Sequence, residues 1–238
     1  MNQNESVHAS PKGFWALIAT QFQGAFSDNV LKNLVVFMML GAGLSLAEKH
    51  RIGELVNALF SLPFILFSMA GGFLADRYSK RTIMIGVKAF EVFIMLLALA
   101  GLIWQQLPLL LACVFLMGTH SAFFGPSKYS ALPELLPEKK LSWGNGILEL
   151  GTFMAIIFGT VTAAVFAQHF QGRHGWSGTI LVGLAVVGLL TSFGVTRIPA
   201  SDPNKKFKVN FLGDFFNSLK IARGDRPLAL AIVGDVNS

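Results

Sequence analysis

Residues 71–81 read GGFLADRYSKR and directly follow a long apolar run. The two glycines would let the helix that carries them approach a neighbouring helix closely. One acidic residue comes next, and Arg77, Lys80 and Arg81 then form a basic cluster of the kind that stays on the cytoplasmic side of a membrane. The stretch therefore predicts the end of one transmembrane helix, a short cytoplasmic turn and the start of the next helix.

The composition of the whole chain indicates an integral membrane protein. Of its 238 residues 53% are hydrophobic and only 13% are charged, and the mean hydropathy is +0.58. The polar N-terminus lacks the features of a cleaved secretory signal, so we expect the first span to be retained. The single cysteine, Cys113, excludes an intrachain disulfide. No Cys/His cluster indicates a metal site, and we predict neither a metal nor a cofactor.

Six apolar stretches are close to the length that crosses a bilayer as a helix, roughly 20 residues. They cover residues 14–40, 52–75, 83–104, 107–124, 147–170 and 179–196. We predict a bundle over 1–198, a cytoplasmic central loop over 199–226 and the start of a truncated seventh helix over 227–238. The lysines and phenylalanines of the loop favour an amphipathic helix on the inner membrane surface, and a solvated linker is the alternative.

The distribution of basic residues predicts the orientation. With the N-terminus placed inside, 14 of the 19 Lys and Arg residues fall on the cytoplasmic side, three fall outside and two lie within spans. The formal charge of +6 is then a topology signal and a source of attraction to anionic membrane lipid. It gives no support to a nucleic-acid partner.

The first span carries polar residues where a lipid-facing helix would carry none. Ionisable groups inside a membrane normally line a cavity or a substrate path. At helical spacing Gln21, Gly24, Asp28 and Lys32 share one face, and shorter polar stripes recur on the fourth span, with Ser121 and Lys128, and on the fifth, with Thr152. The stripes predict a shared cavity, with Lys128 neutralising a carboxylate. The candidate substrate-binding residues are Asp28, Asn29, Lys32, Lys128, Asn145 and Glu149.

Simpler interpretations exist for several of these residues. Asp28 and Lys32 are four residues apart and would pair along their own helix. The Lys128 side chain would extend to the membrane interface if its span ended early. We interpret Lys88 and Glu91 as a mutually neutralised structural pair, and His120 as a packed or hydrogen-bonded helix residue and not a proton relay.

Residues 72–81 resemble the signature loop of the major facilitator superfamily, glycine-x-leucine-alanine-aspartate-arginine-x-glycine-arginine-lysine, with Ser79 in place of the second glycine. The resemblance implies an all-α membrane protein and the six-transmembrane-helix N-terminal half of that fold. It also implies a gating latch that pairs with the other half. The latch would consist of Gly72, Asp76, Arg77, Lys80 and Arg81. The alternative is an ordinary basic loop.

Three further segments together resemble bacterial lysophospholipid transporters, some of which are fused to an acyltransferase and an acyl-carrier ligase. They are AFSDN at 25–29, PSKYSALPE at 126–134, and Leu141 with NGILE at 145–149. The resemblance implies a carrier of the inner, cytoplasmic membrane that moves lysophospholipid by alternating access. It implies a missing six-helix C-terminal half as a partner, and a fused acyltransferase as a further one.

Three other functions compete with this one. An exporter of drugs or of another amphiphile would share the fold. A membrane acyltransferase is disfavoured because no His-x-x-x-x-Asp pair is present, and no phosphate-binding glycine loop supports nucleotide hydrolysis, so we do not expect an enzyme. In a non-transporting bundle the polar stripes would only hold helices together.

Overall fold

The computed structural model describes residues 10–40 and 45–205. Within these ranges the chain forms six long α-helices and one short 3₁₀ turn, with no strand, so the all-α prediction is confirmed. The helices are α1 (Pro11–Leu40), α2 (Leu46–Arg77), α3 (Lys80–Ile103), α4 (Leu107–Leu135), α5 (Leu141–His169) and α6 (Gly175–Ser192), and the 3₁₀ turn is Glu138–Lys140.

Five of the helices, α2 to α6, are long and apolar enough to cross a membrane. Helix α1 is also long enough, because its 30 residues extend about 45 Å at a rise of 1.5 Å per residue. It is less apolar because its middle carries the polar stripe. By length and composition together, α2 to α6 therefore qualify as candidate membrane spans and α1 does not.

Several helix ends lie outside the predicted apolar stretches. Helix α4 continues to Leu135, beyond the predicted end at residue 124, and α5 begins at Leu141 instead of 147. Helix α2 begins at Leu46 instead of 52. The predictions followed hydropathy, which falls where polar side chains enter the sequence, although the helical backbone continues through them. As a result Lys128 lies well inside a helix.

The largest contacts between helices join α2 to α4, α1 to α5, and α3 to both α6 and α4. Glycines permit the close approach at two of these contacts. A Cβ atom on Gly159 of α5 would lie 2.8 Å from the Phe26 carbonyl oxygen of α1, and one on Gly71 of α2 would lie 2.7 Å from the Ala122 carbonyl oxygen of α4. Small residues at helix contacts are typical of packing in membranes.

The two ends of the bundle are well defined. The Ser10 hydroxyl, just before α1, lies 2.7 Å from the Thr196 hydroxyl, just after α6. The start of α1 and the end of α6 therefore lie at the same end. Two half-exposed tryptophans, Trp15 and Trp143, lie in the first turns of α1 and α5 at that end. Trp104 and Trp176 are exposed at the opposite end, where α3 ends and α6 begins. Tryptophans at both ends are typical of membrane interfaces.

The interior has three layers along the helix axes. An apolar cluster near the start of α1 includes Phe14 and Leu17, and a second one further along includes Leu31 and Leu34. The polar residues of α1 lie in sequence between the two clusters, and the same order recurs on α3 and α4. The bundle thus places Asp28, Lys88 and Glu91 in one middle layer.

The described residues up to Pro203 belong to one compact unit. The predicted central loop lies mostly outside the described residues, and the predicted start of a seventh helix lies entirely outside them. Both remain predictions.

Candidate functional site

A cavity of about 510 Å³ lies in the middle layer. It is lined by side chains of α1 to α5, and its walls carry both polar and aromatic groups. The polar lining residues are Thr20, Gln21, Asp28, Asn29, Ser68, Lys88, His120, Ser121, Lys128, Tyr129 and Thr152. Phe60, Phe64 and Phe124 form an aromatic part of the wall.

The Asp28 carboxylate is the acidic group of the cavity wall. Its side chain is buried, with 6% of its surface exposed, and its Oδ2 atom accepts a hydrogen bond of 2.5 Å from the Ser121 hydroxyl. The Oδ1 atom accepts no hydrogen bond from any of the described residues. A buried carboxylate oxygen without a donor is costly, so this oxygen is a suitable acceptor for a cation or an N–H group of a ligand.

The neighbours of Asp28 on α1 differ in their relation to the cavity. Asn29 lines it and donates a hydrogen bond of 2.8 Å to the Ala25 carbonyl oxygen. Lys32 does not line it, and its ammonium lies 5.1 Å from the centre of the Phe60 ring. No ion pair within 4.0 Å joins Asp28 and Lys32 in the described part of the chain, so the local pair is not formed.

The predicted basic residue of the fourth span lines the cavity. Lys128 is buried, so its side chain does not extend to an interface, and its ammonium lies 4.6 Å from the centre of the Tyr129 ring. The Tyr129 hydroxyl donates a hydrogen bond of 2.6 Å to Glu149 of α5. The described residues place no carboxylate within 4.0 Å of Lys128.

The three polar stripes converge only in part. Gln21 of α1 donates a hydrogen bond of 3.0 Å to the Thr152 hydroxyl of α5, and both residues line the cavity. Asn145, further toward the start of α5, is exposed and does not line it. Glu149 does not line it either, but it accepts a hydrogen bond from Tyr129, which does. Of the six candidate substrate-binding residues, the geometry brings Asp28, Asn29 and Lys128 to the cavity wall.

A buried ionic cluster borders the same cavity. Lys88 of α3 donates hydrogen bonds of 2.6 Å to Glu91 and to Gln23 of α1, and Gln23 donates one of 2.9 Å to Glu91. The predicted Lys88–Glu91 pair is confirmed, and both side chains are buried. The Nε2 atom of His120, on α4, lies 3.2 Å from the Glu91 carboxylate. The involvement of Gln23 and His120 was missed because neither shares a spacing signal with α3.

The residues of the predicted gating motif lie at the turn between α2 and α3. The buried Lys80 ammonium donates a hydrogen bond of 2.8 Å to the Ser201 hydroxyl, and Arg81 donates one of 2.8 Å to the Phe193 carbonyl oxygen. The turn thus holds the segment that leaves α6. The Ser79 backbone has a φ of −56°, which needs no glycine, and its hydroxyl donates to the Ile198 carbonyl oxygen.

The other residues of the motif have different environments. The Asp76 carbonyl oxygen accepts a hydrogen bond of 2.8 Å from the Asp202 backbone N–H. The Arg77 guanidinium lies 5.6 Å from the centre of the Phe73 ring. A Cβ atom on Gly72 would meet nothing within 4 Å, so the close approach to α4 is made by the preceding glycine.

A family model described as the Major Facilitator Superfamily matches residues 17–234. The chain belongs to this superfamily. Lysophospholipid transporters LplT from Enterobacter, Klebsiella pneumoniae and Escherichia coli are 27%, 28% and 29% identical to it, over 97%, 86% and 90% of the chain. These matches cover 56%, 49% and 52% of the relatives. The chain spans about half the length of the curated relatives it matches.

Solved structures of transporters share the fold. A peptide transporter POT in complex with sulfate superposes with a TM-score of 0.65 at 15% identity, covering 98% of the chain and 50% of the transporter. A POT family transporter in complex with 5-aminolevulinic acid gives a TM-score of 0.64 at 16% identity, covering 97% of the chain and 50% of the transporter. The chain therefore has this fold and about half the length of these transporters. Its relatives and structural neighbours are transporters.

Proposed function

We propose that this chain is the N-terminal half of an alternating-access carrier that moves lysophospholipid across the cytoplasmic membrane. The observation that carries the proposal is the buried Asp28 carboxylate, whose free oxygen belongs to a cavity that also holds the Lys128 ammonium. A zwitterionic headgroup needs one group of each sign. The LplT relatives, at 27–29% identity, support the same substrate class.

Each of the two charged side chains would bind the oppositely charged group of the headgroup. The Asp28 carboxylate would accept hydrogen bonds from the headgroup ammonium, and Lys128 would face the phosphate. Asn29 would contribute an amide near the same point, while Glu149 would act through Tyr129. Lys32 and Asn145, which do not line the cavity here, would reach a ligand only in another conformation of the carrier.

The aromatic part of the wall suits the acyl chain. Phe60 and Phe64 belong to α2, and the large side chains on the outer surface of that helix are apolar and exposed, Ile65 and Leu66 among them. A lysophospholipid would place its headgroup in the polar layer and its tail against these rings. A sugar has no apolar tail and would make no comparable contact with these aromatic rings.

The test is uptake of labelled lysophosphatidylethanolamine by proteoliposomes that contain the full-length carrier. A hydrogen bond to a charged group contributes about 1.5–3 kcal/mol, so Asp28→Asn and Lys128→Met should each reduce kcat/KM by roughly 10- to 100-fold. The control is Lys139→Met, because Lys139 is exposed on the 3₁₀ turn and lies away from the cavity. Unchanged uptake in both cavity variants would overturn the assignment.

Export of a cationic amphiphile is the second candidate, and the free oxygen of Asp28 favours it. A lone cation would need that carboxylate but would not need Lys128. Detergent-like quaternary amines would then be transported equally by the wild type and by Lys128→Met, and they would compete with lysophospholipid only weakly. The opposite pattern, in which Lys128→Met abolishes transport, supports the phospholipid substrate.

We also propose that the α2–α3 turn is part of the gate, with the end of the bundle that holds it on the cytoplasmic side. The support is its basic character and the hydrogen bonds from Lys80 and Arg81 to the segment after α6. Asp76, Arg77 and Gly72 would face the second six-helix half. Impermeant thiol labelling of single cysteines at positions 78 and 173 tests the orientation, because only position 173 should react from outside.

A further inference from the structure

We propose that Lys32 binds the headgroup phosphate in the outward-facing state of the carrier, as Lys128 does in the state seen here. The headgroup ammonium stays at Asp28 while the phosphate passes from one lysine to the other. This inference rests on the proposed function, since it requires a headgroup that carries both charges. It gives a role to the one charged residue of the α1 stripe that does not line the cavity.

Helices α1 and α4 run in opposite directions. The Ser10 backbone N–H, just before α1, donates a hydrogen bond of 3.2 Å to the Leu135 carbonyl oxygen at the end of α4. In the middle of the bundle the Ser121 hydroxyl donates to the Asp28 carboxylate, so the two helices are level at these residues. Residues that follow Asp28 on α1 and residues that follow Ser121 on α4 therefore lie toward opposite ends of the bundle.

This geometry places the two lysines on opposite sides of Asp28. Lys32 follows Asp28 by one helical turn, about 6 Å along the axis, toward the end of the bundle where α1 ends. Lys128 follows Ser121 by two turns, about 10 Å, toward the end where α1 begins. The carboxylate thus lies between two cations, one toward each side of the membrane.

The two lysines have the same kind of partner. The Lys32 ammonium lies 5.1 Å from the centre of the Phe60 ring, and the Lys128 ammonium lies 4.6 Å from the centre of the Tyr129 ring. Both rings belong to the cavity wall. In residues 10–40 and 45–205, no carboxylate lies within 4.0 Å of either ammonium. A cation–π contact is weaker than a charge-assisted hydrogen bond, so a phosphate displaces either ring.

The two lysines differ in their access to the cavity. Lys128 lines it, whereas Lys32 is separated from it although the Phe60 ring that its ammonium contacts is part of the wall. The structure therefore corresponds to the state in which Lys128 is the phosphate ligand. Alternating access closes one side of a central site when it opens the other. In the opposite state the Phe60 ring moves aside and Lys32 takes the phosphate.

Neutralisation of Asp28 would be a purely structural role for Lys32. Within the described part of the chain these two side chains form no ion pair, and the Oδ1 atom of Asp28 accepts no hydrogen bond. If Lys32 served only to balance that carboxylate, its removal would change the binding of any ammonium ligand, from both sides of the membrane. A phosphate ligand of one state makes a contribution that depends on the phosphate and on the side.

The test measures inhibition of lysophosphatidylethanolamine uptake by two water-soluble compounds, glycerophosphoethanolamine and ethanolamine. Membrane vesicles containing the full-length carrier are prepared right-side-out, to present the outward-facing site, and inverted, to present the inward-facing one. The ratio of the two inhibition constants on one side isolates the contribution of the phosphate. A change in the balance between the two states affects both compounds equally and cancels in that ratio.

We expect Lys32→Met to reduce the preference for glycerophosphoethanolamine by about 10-fold or more in right-side-out vesicles and by less than about 2-fold in inverted ones. Lys128→Met should give the reverse pattern. Lys32→Gln, which keeps a polar side chain without the charge, should behave as Lys32→Met does, and an unchanged preference in inverted vesicles shows that the variant is folded. The control is Lys12→Met, because Lys12 is exposed in the first turn of α1 and does not line the cavity.

The possible outcomes separate this inference from the function on which it rests. Equal losses on both sides for the Lys32 variants, or no loss on either side, would overturn the inference and leave the lysophospholipid substrate in place. A wild type that takes up no lysophosphatidylethanolamine, or that shows no preference for glycerophosphoethanolamine on either side, would overturn the proposed substrate and this inference together.

Discussion

The buried pair of Lys88 and Glu91 allows a quantitative test of how the middle layer is stabilised. Both side chains are fully buried, and the ammonium lies 2.6 Å from the carboxylate. Removing one partner of a buried pair leaves an uncompensated charge and typically costs about 3–5 kcal/mol. We therefore expect Lys88→Met and Glu91→Met each to lower the free energy of unfolding by about that amount.

The double variant should behave differently. With both charges replaced by methionine of similar length, no charge is left unpaired at this position, and only the contacts to Gln23 and His120 are lost. Its destabilisation should be smaller than the sum of the two single effects, with a coupling energy of about 2 kcal/mol or more.

The measurement is reversible unfolding of the full-length carrier by sodium dodecyl sulfate in mixed micelles, followed by tryptophan fluorescence. Glu138→Met and Lys139→Met form the control cycle, because both residues are exposed on the 3₁₀ turn and should change stability by less than about 0.5 kcal/mol. Additive effects at positions 88 and 91, or single effects as small as those of the control cycle, would refute this account of the layer.

Three further predictions concern single contacts. Gly159→Leu should prevent the approach of α5 to α1 and abolish a monodisperse size-exclusion peak, whereas Gly183→Leu, at an open position, should not. Tyr129→Phe removes the hydrogen bond to Glu149 and should weaken lysophospholipid binding about 5-fold, equivalent to about 1 kcal/mol. An unchanged dissociation constant for lysophospholipid in Tyr129→Phe would contradict this. Ser201→Ala removes the acceptor of the buried ammonium at the α2–α3 turn, so limited proteolysis should cut residues 193–203 faster.

The helices were predictable because each one carries an apolar run of sufficient length, but their ends were not. Hydropathy indicates only which stretches are apolar enough to contact lipid, and it does not indicate where the helical backbone ends. Between residues 125 and 135 helix α4 contains Pro126, Lys128 and Pro133, which a hydropathy count treats as the end of a span. In the structure this part of the helix is packed against other helices, and Lys128 lines a cavity. A helix that faces protein and water on one side continues where its apolar run stops.

Part of the site was also predictable, because side chains three or four residues apart share a helix face. That rule places Asp28 on the cavity side of α1. It cannot predict which residues of different helices meet. The interpretation of His120 as a packed or hydrogen-bonded helix residue therefore named no partner, and in the structure its Nε2 atom lies 3.2 Å from Glu91. The rule also failed for Asn145, since the beginning of α5 extends past the cavity.

The polarity of α1 is a consequence of its position in the bundle. Helix α1 contacts α2, α4, α5 and α6, and its polar side chains have partners on other helices: Gln21 with Thr152, Gln23 with Glu91, and Asn33 with Thr160. A helix with so many neighbours needs little lipid-compatible surface, so it can carry the polar stripe. By the test of length and composition that α1 does not pass, the described helices would give five spans, and the start of α1 and the end of α6 would lie on opposite sides. The hydrogen bond between Ser10 and Thr196 requires an even number, and α1 must therefore cross the membrane with the other five.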